Sequence, residues 1–81
     1  MTLTVHLFAR ARELAAADTV TLDVPTAATI GDLRRALAER VPALASLLPV
    51  SMIAVNHEFA PDALLLASEA ELAVIPPVSG G

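Results

Sequence analysis

Two of the three glycines in this chain are its final residues, and they follow directly on Pro76-Pro77-Val78-Ser79. At a background usage of about 7 % glycine, a closing Gly80-Gly81 arises by chance in roughly 0.5 % of sequences. Without a Cβ, this backbone passes through a channel narrower than any side chain permits. The two prolines fix φ and restrict the residues before them, so the segment leads away extended and stiff. Residues 77–81 span about 16 Å at ~3.3 Å each, enough to enter a neighbouring protein's cleft. What such an arm delivers is the carboxylate of Gly81. With an ordinary pKa of about 3.5 it is ionised at neutral pH, a nucleophile towards an activated phosphate but a poor electrophile. Adenylation by ATP reverses that polarity, and the acyl-adenylate can accept sulfur to give a thiocarboxylate, a soft nucleophile.

Few other groups compete for that chemistry. There is no cysteine, so disulfides, thiolate metal sites and thiol nucleophiles are excluded, and the sulfur must come from elsewhere. All five cations are arginines, which leaves no lysine amine to attack an activated terminus. His6 and His57 are the only histidines, but neither has a second metal-ligating residue at helix spacing, and both read as surface polar residues. Arg12 and Glu13 read as a solvated pair. The net charge of −4 and the scattered arginines lack the basic stripe that phosphate backbones require, so no nucleic-acid partner is expected. Residues 41–57 carry no formal charge, but Pro42 and Pro49 divide them into runs shorter than the ~20 residues of a membrane span. No membrane association is expected, and without a signal-peptide pattern a cytoplasmic address is the default.

At 81 residues with 56 % hydrophobic content, the chain supports one small domain with a substantial core. Leu3, Val5 and Leu7 alternate with Thr2, Thr4 and His6 as in a half-buried strand, and Phe8 falls on the His6 face. Residues 9–17 are rich in helix formers but short, which predicts at most a brief helical turn. Residues 19–24 alternate again, suggesting a hairpin with a widened loop. Thr29 and Asp32 form a capping box ahead of Ile30, Leu33, Ala36 and Leu37 at helical spacing, with Asp32, Arg34, Arg35 and Glu39 expected to be exposed. That helix should stop before Pro42. A short turn over 43–48, strands over 51–56, 58–60 and 71–75, and a tight bend at Asn56-His57 complete the order. One long helix covering one apolar sheet face makes an α+β roll.

Leu7-Phe8-Ala9, Arg12-Glu13-Leu14, Ala54-Val55-Asn56 and the closing run Val74-Ile75-Pro76-Pro77-Val78-Ser79-Gly80-Gly81 together resemble the small, sulfur-carrying subunit of molybdopterin synthase, within the ubiquitin-like ThiS/MoaD superfamily. The resemblance implies a β-grasp fold of about five strands in a mixed sheet, with the domain over 1–76 and a tail over 77–81. It also implies a non-catalytic subunit that binds no cofactor itself. An adenylating enzyme uses ATP to activate Gly81, and the thiocarboxylated tail enters the large synthase subunit to donate sulfur to cyclic pyranopterin monophosphate. Two departures stand out: Ser68-Glu69-Ala70-Glu71 replaces a usual Gly-Asp turn, and Ala15-Ala16-Ala17 stands where a glycine is common. Because the first and last strands of a β-grasp sheet are neighbours, parity puts Phe8, Ala73 and Ile75 on the face opposite the main core. Phe8, Ile75 and Phe59 are therefore expected to form a docking patch for both partners, with a minor second core as the plain alternative. Residues 76–79 are expected to contact those partners too. Competing functions are a sulfur carrier for thiamine or another metabolite, and a ubiquitin-like conjugation or interaction module.

Overall fold

The computed structural model describes residues 1–78; Ser79, Gly80 and Gly81 lie outside the described residues. Among the described residues the elements run β1 (Thr2–Leu7), α1 (Ala9–Ala15), β2 (Thr19–Asp23), α2 (Ile30–Arg40), two 3-10 turns (Pro42–Leu44 and Leu48–Val50), β3 (Met52–Val55), β4 (Glu58–Phe59) and β5 (Leu72–Ile75). The strands form one sheet in the order β2-β1-β5-β3-β4. β1 and β5 are parallel, with Val5 opposite Leu72 and Leu7 opposite Val74. The other neighbours are antiparallel.

Period-two alternation determines which face is filled. Leu3, Val5, Leu7, Val20, Leu22, Ile53, Leu72 and Val74 all point to one side and are buried there. Ile30, Leu33 and Leu37, one stripe of α2, close over them and are fully buried. Each such side chain contributes about 1.5–3 kcal/mol on leaving water. The β-grasp arrangement anticipated from the resemblance is present, with α2 as the main covering helix.

The capping box forms as expected: the Thr29 hydroxyl accepts from the Asp32 N–H at 3.2 Å, and the Asp32 carboxylate accepts from the Thr29 N–H at 2.9 Å. The Thr29 backbone N–H is the chief cause of an Asp32 pKa below its ordinary 3.8; partial burial opposes it, and Thr29's side chain and Arg35 reinforce it. A carboxyl with a depressed folded-state pKa gives stability that is present above its unfolded value and lost as pH falls through the folded one. Acid unfolding monitored by circular dichroism should therefore show a loss beginning near pH 3.8 and continuing below it, and Asp32→Asn should flatten that part of the curve.

Residues 9–17 depart from expectation. They form a two-turn helix, Ala9–Ala15, because tertiary packing supplies what a short alanine-rich segment lacks: Ala11 is fully buried, and Leu14 and Ala15 pack against the core. The helix ends at Ala16 in the left-handed region, φ 54°. The Ala17 N–H bonds to the Arg12 carbonyl at 3.3 Å and the Ala16 N–H to that of Glu13 at 3.2 Å, the paired bonds of a Schellman ending. Such an ending favours glycine, so alanine at this position carries the cost of a Cβ in the left-handed region. Ala16→Gly should raise stability by about 1 kcal/mol and the melting temperature by about 4–8 °C in thermal unfolding.

Three smaller expectations also change. Arg34 and Asp32 are half-buried instead of exposed: Arg34 reaches over the 3-10 turns to the carbonyls of Leu48 and Ser51, and its Nε donates to Asp62 at 2.9 Å. Arg12 and Glu13 do not pair, since adjacent helix residues diverge. Arg12 instead lies 3.7 Å from Asp18, and Arg10 lies 3.3 Å from Glu13. The expected turn over 43–48 becomes the two 3-10 turns, each with a proline in its first positions. In place of a Gly-Asp turn, Ala70 N–H bonds to the Ala67 carbonyl at 3.1 Å, and none of these residues has a positive φ.

Candidate functional site

The tail begins where β5 ends. Pro76 is still buried, whereas Pro77 is exposed and Val78 is 96 % exposed. Beside them, Ala9, Arg10 and Glu13 of α1 and Leu47 line a shallow concavity with Pro76, Pro77 and Val78. The parallel pairing of β1 with β5 explains the neighbourhood: both strands point their C-terminal ends the same way, so Phe8 and α1 emerge next to the tail's root. Ser79 and the Gly80-Gly81 pair, expected from the sequence to carry the reactive carboxylate, lie outside the described residues.

On the sheet face turned away from α2, Phe8, Phe59 and Ile75 come together as the parity of the strands requires. They line one groove of about 330 Å³. Its floor is Ala54, Ala73 and Ile75, and Phe8 and Phe59 stand as walls, 48 % and 64 % exposed. His6, His57 and Glu71 complete the rim. Ala54 is buried although it lies outside the main core cluster, so this face has a covered floor beneath exposed aromatic walls.

Sequence reasoning missed several members of this face. Met52 is opposite Ile75 in the β3–β5 register and is 46 % exposed, which extends the apolar strip towards the tail. The alternation of Met52 and Ala54 with Ile53 carries that signal in the sequence. His57 and Glu71 are brought together at 2.8 Å, Nε2 to Oε2, across fourteen residues of chain that no short-range pattern connects. Among the described residues no cluster of three or more His, Cys, Asp or Glu side chains is arranged to hold a metal, and no helix is long and apolar enough to cross a membrane.

What the arrangement offers is an apolar recognition surface placed beside the root of an exposed arm. Exposed apolar area of this kind is a common mark of a protein contact surface. Residues 5–81 match the ThiS family. The chain is 38 % identical over 77 residues to the molybdopterin synthase sulfur carrier subunit of Arabidopsis thaliana, covering 95 % of this chain and 80 % of that one. Its structure is similar to that of SAMP1 from Haloferax volcanii, with a TM-score of 0.88, 36 % identity and full coverage of both chains. It also resembles a putative molybdopterin converting factor subunit 1 from Pyrococcus furiosus, with a TM-score of 0.83, 26 % identity, and 95 % and 98 % coverage.

Proposed function

The chain belongs to the ThiS family, and from that premise we propose that it is the sulfur carrier subunit of molybdopterin synthase. It is a non-catalytic subunit in molybdenum cofactor biosynthesis, and the catalytic function belongs to the large subunit with which it assembles. The single observation that carries this reading is an exposed, proline-rooted arm, beginning at Pro77 and Val78, set beside an apolar groove.

The chemistry proceeds at Gly81. An activating enzyme uses ATP to join the carboxylate to AMP, releasing pyrophosphate. Sulfide then attacks the acyl carbon, the bond to AMP breaks, and AMP departs to leave a thiocarboxylate. In the large subunit the thiocarboxylate sulfur attacks cyclic pyranopterin monophosphate, and hydrolysis of the resulting thioester regenerates the carboxylate. Phe8, Ile75 and Phe59 orient the domain on each partner in turn, and residues 76–79 thread the approach. The carrier binds no cofactor of its own.

Incubation with the activating enzyme, ATP and a sulfur donor, followed by intact-mass measurement, tests this directly. The expected product is heavier by one sulfur in place of one oxygen, and an unchanged mass refutes the reading. The likeness to a small archaeal modifier protein, SAMP1, supports a second reading in which the activated terminus forms an amide with a lysine of another protein. In that case the product is a protein conjugate that forms without the sulfur donor.

A further inference from the structure

Two of the four non-glycine residues with positive φ among the described residues are consecutive: Asn56 at 50° and His57 at 71°. They form the two-residue loop between β3 and β4, where both central residues of the turn must be left-handed. Asparagine and histidine are among the non-glycine residues that adopt that conformation most readily, but two in succession are uncommon, and positions of this kind persist only where their surroundings over-determine them. What holds this turn is one residue, Glu71. Its N–H donates to the Asn56 Oδ1 at 2.9 Å, its carbonyl accepts the Asn56 N–H at 2.8 Å, and its carboxylate meets His57 Nε2 at 2.8 Å.

The turn carries β4, which is only two residues long, is the outermost strand on its side and pairs solely with β3. So short an edge strand has little stability of its own. Yet it presents Phe59, the more exposed of the two aromatic walls of the groove. Residue 71 is also the last before β5, the strand that runs into the tail.

We propose that Asn56 is a positioning residue for partner recognition: by fastening the β3–β4 turn to residue 71, its side chain holds Phe59 upright as a wall of the docking groove. The inference rests on the reading of that groove as the face that meets the large synthase subunit. Asn56 itself does not line the groove. Its effect on binding must therefore pass through the groove residues its turn holds, of which Phe59 is the exposed apolar one.

A double-mutant cycle on the dissociation constant of the complex with the large subunit, measured by titration calorimetry, tests this. Asn56→Gly keeps the positive φ available and removes the side chain that carries the Oδ1 acceptor, and it should weaken binding about fivefold. Phe59→Ala should weaken it at least about tenfold. The combined variant should bind no more weakly than Phe59→Ala alone. Asn56→Asp keeps an acceptor at the same place and should restore affinity to near that of the parent. Additive losses, or an unchanged affinity in Asn56→Gly while Phe59→Ala binds poorly, would overturn the role of Asn56. An unchanged affinity in Phe59→Ala would instead overturn the docking face, and the Asn56 role with it. The cycle is repeated in the Ala16→Gly background, whose added stability keeps weakened variants folded. Should Asn56→Gly unfold even there, Asn56 serves the fold and not recognition, and the proposal fails.

Discussion

Deleting Gly81, or adding one residue after it, is expected to lower sulfur donation by at least about 100-fold while leaving thermal unfolding unchanged. One residue of extended chain is about 3.3 Å, and a reacting atom misplaced by even 1 Å costs on the order of 100-fold in rate. Pro76 and Pro77 fix the chain's departure from β5, which limits how far the root of the arm can shift to absorb the error. Stability should not follow activity. Among the described residues the last buried position is Pro76, and Pro77 and Val78 beyond it are exposed, so the change should fall within about 0.5 kcal/mol. The rate of sulfur transfer to cyclic pyranopterin monophosphate, measured with thiocarboxylate supplied by the activating enzyme, checks the first part, and a thermal melt checks the second. Retained synthase activity in either variant would refute the role assigned to the terminus. Gly80→Ala should give an intermediate loss, since a Cβ narrows clearance without moving the carboxylate.

Much of this site is legible in the sequence because its logic is local. A proline-fixed exit and two glycines occupy consecutive positions, and the strand parity that places Phe8, Ala73 and Ile75 on one face needs only residues spaced by two. The capping box of α2 is legible for the same reason, with both of its hydrogen bonds joining residues three apart. What escapes a reading of the sequence depends on distant chain. Ala9–Ala15 lacks the apolar periodicity of a confident helix, and only the core beneath Ala11 and Leu14 settles its conformation. Arg34 sits on what periodicity marks as the polar side of α2, but the 3-10 turns arriving fourteen and seventeen residues later offer it the carbonyls of Leu48 and Ser51. Asn56 and Glu71 are fifteen residues apart, and their hydrogen bond exists only because β3 and β5 are antiparallel neighbours.

Phe8→Asp should separate recognition from folding in one substitution. Phe8 is about half exposed as a wall of the groove, and an aromatic anchor at the centre of an interface is commonly worth at least about 2 kcal/mol when removed. Replacing it by a carboxylate adds the penalty of burying an unpaired charge against an apolar partner surface, so affinity for the large subunit should fall by at least about 30-fold. The domain itself has little to lose. Phe8 occupies the N-cap of α1 with extended backbone, φ −126° and ψ 156°, and no side-chain hydrogen bond caps the helix there. Aspartate is among the better residues for an N-cap, since its carboxylate accepts from N–H groups of the first turn. The melting temperature of the free domain should therefore stay level or rise while binding is lost. A variant that is destabilised in proportion to its loss of binding would place Phe8 in a second core instead, and the floor formed by buried Ala54 and half-buried Ala73 and Ile75 is where that core would lie. Exposure of the aromatic walls above that floor favours recognition, because a core residue would have been covered and Phe8 is not.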